Sequence, residues 1–261
     1  MRQRTYQTKP TRFASARTSA QRPAQAAPRV RTDLSPLVLY RDGLAIVIDK
    51  PPGIAVHPGP GGGPNLEDSF DSLRYGLPKP PSLAHRLDRD TSGCLVLGRH
   101  PKALRKLGKI FSEGTAEKVY WAVVTKAPPT PEGRVDLSLT KDTSRAGWKM
   151  VPDSAGQTAI TDYRTLGQAP GLVWLELRPR TGRTHQIRVH CASLGCPLIG
   201  DPAYGAPADG RGLHLHARSI TLPLYPAKPP LHVLAPPPAH MLAALRACGY
   251  VEGLLEAEAT R

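Results

Sequence analysis

Short apolar segments bounded by turn residues recur along this chain, and they constrain its fold more than any other feature. Runs of this length are typical of β-strands, and they lie at 37–40, 44–48, 94–97, 118–124, 158–166, 172–177 and 214–222. Helical patterns are fewer, at 66–75, 101–114, 184–194 and 239–248. The helices do not alternate with the strands in the rhythm of about 30 residues that parallel βαβ units need. We therefore predict an α+β fold, built on a mostly antiparallel mixed sheet flanked by helices and loops.

Two local patterns add detail to this fold. The step Asp42-Gly43 between the first two strands predicts a tight hairpin turn. In the strand at 118–124, the alternation of side chains places Tyr120 and the other even-numbered residues on one face and the odd-numbered residues on the other.

The chain has a strongly basic composition. Its 261 residues include 35 Lys and Arg against 21 Asp and Glu, which gives a formal net charge of +14. This balance predicts a polyanionic partner, and nucleic acid is the first candidate.

Much of the basic excess lies at the start of the chain. The basic residues that precede Asp33 are Arg2, Arg4, Lys9, Arg12, Arg17, Arg22, Arg29 and Arg31. The surrounding segment is rich in Pro, Ala, Ser and Thr and has little apolar periodicity, so it cannot bury enough surface to offset the entropy of ordering. We predict a disordered basic tail over 1–36 and one folded domain over 37–261. An organellar transit peptide is the alternative, and the prolines of the segment argue against the amphipathic helix that it needs.

The remaining composition excludes several classes of protein. Cys94, Cys191, Cys196 and Cys248 show no spacing typical of zinc or of a disulfide framework. His214 and His216 would share one face of a strand, but a third metal ligand at a suggestive spacing is missing. No apolar run approaches the ~18 residues that a membrane span needs. We expect a soluble cytoplasmic protein with reduced thiols, no metal and no membrane association.

One charged loop stands out as a candidate active site. It has the sequence His85-Arg-Leu-Asp-Arg-Asp-Thr-Ser-Gly93 and precedes an apolar strand. A carboxylate flanked by Arg86 and Arg89 should stay ionised, because nearby positive charge favours the charged form. Such a group can act as a nucleophile or a base. The alternative is an exposed turn whose charges are solvated.

Four segments, taken together, identify a family. They are Asp49-Lys-Pro-Pro-Gly-Ile-Ala-Val-His-Pro-Gly59, the loop at 85–93, Lys118-Val-Tyr120 and Thr181-Gly-Arg-Thr-His-Gln-Ile-Arg-Val-His190. In these segments and their order the chain closely resembles the RluA-type pseudouridine synthases. The resemblance extends from about 37 to 222 and includes Gly200-Asp-Pro-Ala-Tyr-Gly205 and Leu213-His-Leu-His-Ala217.

The resemblance implies an isomerase that works without metal or organic cofactor. It would cleave the glycosidic bond of a uridine within RNA, rotate the uracil and rejoin it to the ribose through carbon 5. Cleavage builds positive charge at the anomeric carbon, which a carboxylate stabilises. Asp88 matches the family's catalytic aspartate, and it would either add to the sugar or remove the 2′ proton. Asp90 is the competing carboxylate, and we expect it to cap backbone donors near Thr91 and Ser92 instead.

The resemblance also implies roles for other residues. Tyr120 would stack on the target base and is a candidate base for the carbon 5 proton, although a core packing role is the alternative. Arg188 would pair with Asp88, since a guanidinium can grip a carboxylate bidentately. The residues expected to contact RNA or support the site are Lys50, Arg86, Arg89, Arg183 and His185. For His185 and His190, a purely structural role as hydrogen-bonding groups fits the sequence at least as well as a direct role in the chemistry. Arg86 could fill the space that a flipped uridine leaves.

Two other functions fit the same residues. A nucleoside hydrolase or base-excising glycosylase would use the same carboxylate but let water capture the sugar. A catalytically retired RNA-binding or assembly factor would keep the fold without the chemistry. The resemblance implies ribosomal large-subunit RNA, transfer RNA or both as substrates for a monomer. Two departures from the family are a basic tail in place of a folded N-terminal RNA-binding module and Pro223-Leu-Tyr-Pro in place of the family's usual ending.

Overall fold

Strand pairing dominates the architecture, as the sequence predicts. In the computed structural model, which describes residues 32–59, 62–144, 148–205 and 210–253, ten strands join into one sheet and two more form a separate hairpin. The strands are β1 (Val38–Arg41), β2 (Ala45–Lys50), β3 (Ser82–Leu83), β4 (Ser92–Gly98), β5 (Glu117–Val124), β6 (Glu132–Asp136), β7 (Leu139–Asp142), β8 (Lys149–Pro152), β9 (Ile160–Ala169), β10 (Leu172–Pro179), β11 (Leu215–Leu222) and β12 (Leu231–Leu234).

The main sheet has the order β1-β2-β4-β11-β5-β10-β9-β6, with β3 on β4 and β12 on β11. Its pairs are antiparallel except for β4 and β11, which run parallel. The helices are α1 (Pro101–Ser112), α2 (Gln186–Ser193) and α3 (Ala239–Ala247), and short 3₁₀ helices cover Ser35–Leu37 and Leu66–Leu73. The α+β class with a mostly antiparallel mixed sheet is confirmed.

The central strand β5 divides the core, as its alternation predicts. Tyr120, Ala122 and Val124 face a cluster that includes residues of α2, whereas Trp121 and Val123 face a cluster that includes residues of α3. Tyr120 also packs against a cluster that includes Leu87, so the loop at 85–91 and α2 meet on the Tyr120 side of the sheet.

The strands that the sequence did not predict are short or lie at an edge. In β6 every residue except Val135 is exposed, and β8 has no fully buried residue. Such strands lack the apolar alternation by which a strand is recognised in a sequence. They form because their backbone groups make hydrogen bonds to a neighbouring strand.

The folded unit begins before residue 37. The Leu34 side chain is 2% exposed and packs in the core, and the backbone N–H of Thr32 donates to Ser69 Oγ over 3.1 Å. Residues 32–36 therefore belong to the folded part, and the division of the chain into a basic tail and a catalytic domain stays a prediction. The rest of the tail, 1–31, lies outside the described residues. No helix in the described part of the chain is long and apolar enough to cross a membrane.

Candidate active site

The loop at 85–91 connects β3 to β4 and is held in place by buried contacts of Leu87 and Lys50. Leu87 is buried in the core, and the Lys50 ammonium donates to the backbone carbonyls of Pro51, Arg89 and Thr91 over 2.8 to 2.9 Å. The Lys50 side chain is 0% exposed, and burial lowers its pKa to about 8 against the opposing charges of Asp90 and Asp88. Lys50 thus holds the loop from a buried position, and its contact with RNA stays a prediction.

A close backbone approach fixes the end of this loop. Gly93 has φ +103°, and a Cβ at this position would collide with the carbonyl of Ala217 on the parallel strand β11. Beside it, the buried Ser92 hydroxyl and His216 Nδ1 are 2.9 Å apart. A glycine is therefore required where the active-site loop enters the sheet.

The two carboxylates of the loop have different surroundings. Asp88 reaches the cleft, where its Oδ2 lies 4.0 Å from His185 Nε2. The Asp90 carboxylate accepts a hydrogen bond from Arg89 Nε over 3.3 Å. The backbone N–H of Thr91 donates to the carbonyl of Asp88 over 3.2 Å. The Thr91 donor is thus satisfied by a backbone carbonyl, and the division between the two carboxylates stays a prediction.

The segment 181–190 forms the opposite wall of the cleft, and Gln186 organises it. The Gln186 carbonyl oxygen accepts from the Thr181 hydroxyl and the Arg183 backbone N–H, over 2.7 and 2.9 Å. Its amide donates to the carbonyl of Ile160 on β9 over 2.9 Å. These bonds fold the chain back before α2 and leave Arg183 exposed at the rim, where its Nε donates to the carbonyl of Thr158.

Arg188 pairs with a different carboxylate from the one expected. Its guanidinium donates two hydrogen bonds to Asp201, over 2.8 and 2.7 Å, and both side chains are buried. Burial alone would raise the pKa of Asp201, but the hydrogen bonds and charge of Arg188 hold it below its usual value. No direct bond joins Arg188 and Asp88 among the described contacts. The expected pairing is corrected, because Asp201 occupies the fork of the guanidinium and Asp88 interacts with it only at longer range.

His185 lies at the centre of the site. It has left-handed backbone angles, φ 54° and ψ 15°, which are costly for a residue with a Cβ and point to a local constraint. Its Nδ1 is 2.9 Å from the Tyr204 hydroxyl, and its ring stacks on Trp148 with centroids 5.1 Å apart. Burial lowers the pKa of His185, and the charges of Arg188 and Arg86 add to this effect while Asp88 opposes it. A neutral imidazole therefore faces Asp88 at neutral pH.

Tyr120 and Lys118 complete the cleft from β5. Burial, with the negative charge of Asp88, raises the pKa of the Tyr120 phenol well above its usual value. The Lys118 ammonium donates to the carbonyl of Thr181 over 3.4 Å, and burial lowers its pKa. Tyr120 thus keeps its proton in the resting site, which makes it a poor base before substrate binds.

The cleft has a volume of about 450 Å³, within the range of small-ligand sites. Six of the sequence-predicted residues line it, namely Arg86, Asp88, Tyr120, Arg183, His185 and Arg188. Arg89 lies on the surface outside it. Within the described part of the chain, no group of three or more His, Cys, Asp and Glu side chains is placed to hold a metal ion.

Comparisons with known proteins show the family of this chain. A family model described as RNA pseudouridylate synthase matches residues 45–193, more than half of the chain. This chain belongs to that family. The matched range includes Asp88, Tyr120 and Arg188, which lie in three separate segments. Membership of the family places the chain among RNA-modifying isomerases, as the sequence predicts.

Individual relatives extend the agreement. An uncharacterized RNA pseudouridine synthase of Zymomonas mobilis is 45% identical over 161 residues, which cover 61% of this chain and 74% of the relative. The ribosomal large subunit pseudouridine synthase D of the same organism is 34% identical over 184 residues. The matched region covers 66% of this chain and 56% of that relative. This chain spans 38% to 57% of several other curated relatives.

A solved structure supports the fold of this synthase. Human RNA pseudouridylate synthase domain containing 4 superimposes with a TM-score of 0.69 at 27% identity, over 82% of this chain and 94% of that one. The pseudouridine synthase fold is therefore confirmed.

Three residues of the site were given no role from the sequence. Asp201 and Tyr204 lie in the segment 200–205, whose resemblance to the family was visible, but its chemistry depends on contacts with α2. Trp148 lies outside every recognised motif and reaches the site through the hairpin of β7 and β8.

Proposed function

We propose that this synthase isomerises uridine in RNA with Asp88 as its catalytic carboxylate. The observation that carries the proposal is the convergence of three separate segments at one cleft, whose described lining has Asp88 as its acidic residue and five Lys and Arg residues. The oxocarbenium-like charge of glycosidic cleavage would develop beside this carboxylate. Asp88 either attacks the anomeric carbon or removes the 2′ proton while the bond between N1 and the anomeric carbon breaks. The uracil then turns, carbon 5 bonds to the anomeric carbon in place of Asp88 or after the 2′ proton returns, carbon 5 loses its proton, and N1 gains one, so that the reaction is an isomerisation.

Tyr120 and Arg188 would support this step without bonding to Asp88. Tyr120 reaches the cleft from β5 and is positioned to pack against the uracil. The Arg188 guanidinium, oriented by Asp201, contributes positive charge near Asp88 at long range.

The rim supplies contacts for the RNA backbone. Arg86 and Arg183 are exposed at the cleft, and Lys118 lines it. A uridine in a folded RNA must leave its stack to reach Asp88, which costs a few kcal/mol, and we propose that Arg86 fills the vacated space. Arg86→Ala should weaken RNA binding and slow turnover, whereas Arg134→Ala, on a surface ion pair with Asp162, should change neither. Unchanged affinity and turnover in the Arg86 variant would remove this role.

We propose ribosomal large-subunit RNA as the first substrate to test and transfer RNA as the second. The name of the Zymomonas synthase D supports the first choice. We also propose that the protein acts as a monomer and that it works in the cytoplasm. The four free, buried cysteines support the second proposal, because thiols stay reduced in such a compartment.

The decisive experiment maps pseudouridine in total RNA from cells with and without the protein, with Asp88→Asn as the matched inactive control. Purified protein is then incubated with the mapped RNA, and pseudouridine and free uracil are measured. Pseudouridine without free uracil, abolished by Asp88→Asn, is the expected result. Free uracil would indicate a hydrolase, and tight binding without conversion would indicate a retired binding factor.

A further inference from the structure

Trp148 is an unusual residue for the surface of this protein. Its ring is 45% exposed, whereas Trp121 and Trp174 are each 3% exposed and pack in the core. Among the described residues, the exposed large hydrophobic side chains are Trp148 and Val251. Trp148 is thus an isolated aromatic ring in a polar surface, which does not fit a protein-binding patch, since such patches are contiguous and apolar.

The position of Trp148 connects it to the reacting centre. Its ring stacks on His185 at an interplanar angle of 19° with 5.1 Å between centroids, and His185 Nε2 lies 4.0 Å from Asp88. One imidazole ring therefore separates Trp148 from the catalytic carboxylate. This spacing suits the nucleotide next to the one that occupies the cleft.

The hairpin that carries Trp148 is fixed to the wall of the cleft. The backbone N–H of Met150 donates to the Tyr204 hydroxyl over 2.9 Å, the same hydroxyl that contacts His185. Leu139 of β7 is buried against Val189 of α2, and Met150 packs on this cluster. The ring is therefore held in place before RNA arrives, which lowers the entropic cost of binding.

The charges around Trp148 favour a nucleic acid. The Lys141 ammonium lies 5.0 Å from the centroid of its ring, and Lys149 approaches the ring of Tyr204. Aromatic rings beside lysines are the arrangement that binds unpaired nucleotides, with the base on the ring and the phosphate on the ammonium. Lys141 is exposed on a flexible stem, so its ammonium can move from the ring to an adjoining phosphate.

We infer that Trp148 and Lys141 form a stacking subsite for an unpaired nucleobase adjacent to the target uridine. The inference rests on the proposed function, because it assumes that the target lies at Asp88. Trp148 is then a positioning residue that holds the flanking nucleotide while the uridine enters the cleft.

The test uses the full chain in the Asp88→Asn background, so that binding is measured apart from catalysis. Since the other two tryptophans are buried, quenching of tryptophan fluorescence by a short oligouridylate should report on Trp148. We expect quenching with oligouridylate but not with inorganic polyphosphate, and no quenching with Trp148→Phe. Trp148→Ala should weaken binding about tenfold, the value of one base stack, while Trp148→Phe should retain most affinity. Val251→Ala is the matched control and should bind like its parent.

Equal affinity of the Trp148→Ala and Val251→Ala variants, or quenching that persists in Trp148→Phe, would overturn the inference. With Asp88 restored, the Trp148→Ala variant should show a raised KM for pseudouridine formation. If pseudouridine never forms but the quenching is present, the proposed function fails, and with it the assignment of the subsite to a neighbour of a target uridine; only base stacking on Trp148 is then established. If pseudouridine forms and Trp148→Ala has the parent's KM and affinity, the subsite fails and the proposed function stands.

Discussion

The buried pair of Arg188 and Asp201 offers the sharpest test of how this site is built. Arg188 is 6% and Asp201 1% exposed, and two hydrogen bonds join them. The Asp201 carboxylate also accepts from the backbone N–H groups of Ala203 and Tyr204, over 2.9 and 3.1 Å. Asp201→Ala removes all of these bonds and leaves the Arg188 charge buried without its partner.

The expected cost follows from these contacts. Removing one partner of a buried ion pair costs about 3–5 kcal/mol, because the other charge stays desolvated. The two backbone hydrogen bonds add about 1 kcal/mol each. The sum is on the order of 5 kcal/mol, which for a chain of this size lowers Tm by about 10 °C or more.

Urea unfolding at neutral pH, followed by circular dichroism, measures this cost. Asp162→Ala is the matched control, since Asp162 also pairs with two arginines, Arg134 and Arg180, but on the surface. Exposed pairs contribute about 0–1 kcal/mol. The double variant Arg188→Met with Asp201→Leu should recover much of the loss, because no buried charge remains. A loss in Asp201→Ala no larger than that in Asp162→Ala would refute the reasoning.

Three further predictions test the surroundings of the site. Lys50→Met should slow turnover by up to about a hundredfold, because the loop at 85–91 would be displaced. RNA affinity, measured by filter binding, should stay unchanged. A loss of affinity with normal turnover would contradict the buried role of Lys50. Burial raises the pKa of Asp49 from 3.8 to about 6. The folded state therefore resists ionisation of this carboxyl, and the free energy of unfolding should fall as the pH rises from about 4 to 6. The Asp49→Asn variant should show a smaller fall over the same pH range. Deleting residues 1–31 should weaken RNA binding and reduce its salt dependence, and an unchanged salt slope would exclude the tail from binding.

Local patterns in the sequence predict the parts of the fold that depend on neighbours in the chain. The Asp42-Gly43 turn produces the hairpin of β1 and β2, and the alternation in β5 correctly separates Tyr120 from Trp121. Pro101 begins α1, and His100 caps it through its side chain. These features follow from the steric and hydrogen-bonding preferences of a few adjacent residues, so a sequence is sufficient to find them.

The amino-acid sequence by itself determined the family, the order of its motifs and the strands whose apolar residues alternate. The tertiary structure decided which charged groups meet. Arg188 pairs with Asp201 rather than Asp88, Lys50 is buried beneath the loop at 85–91, and Trp148 reaches the site from outside every motif. The physical reason is that ion pairing and stacking act over a few ångströms between residues far apart in the chain. No periodicity records such distances, and only the packing of α2 and the β7–β8 hairpin against the sheet establishes them.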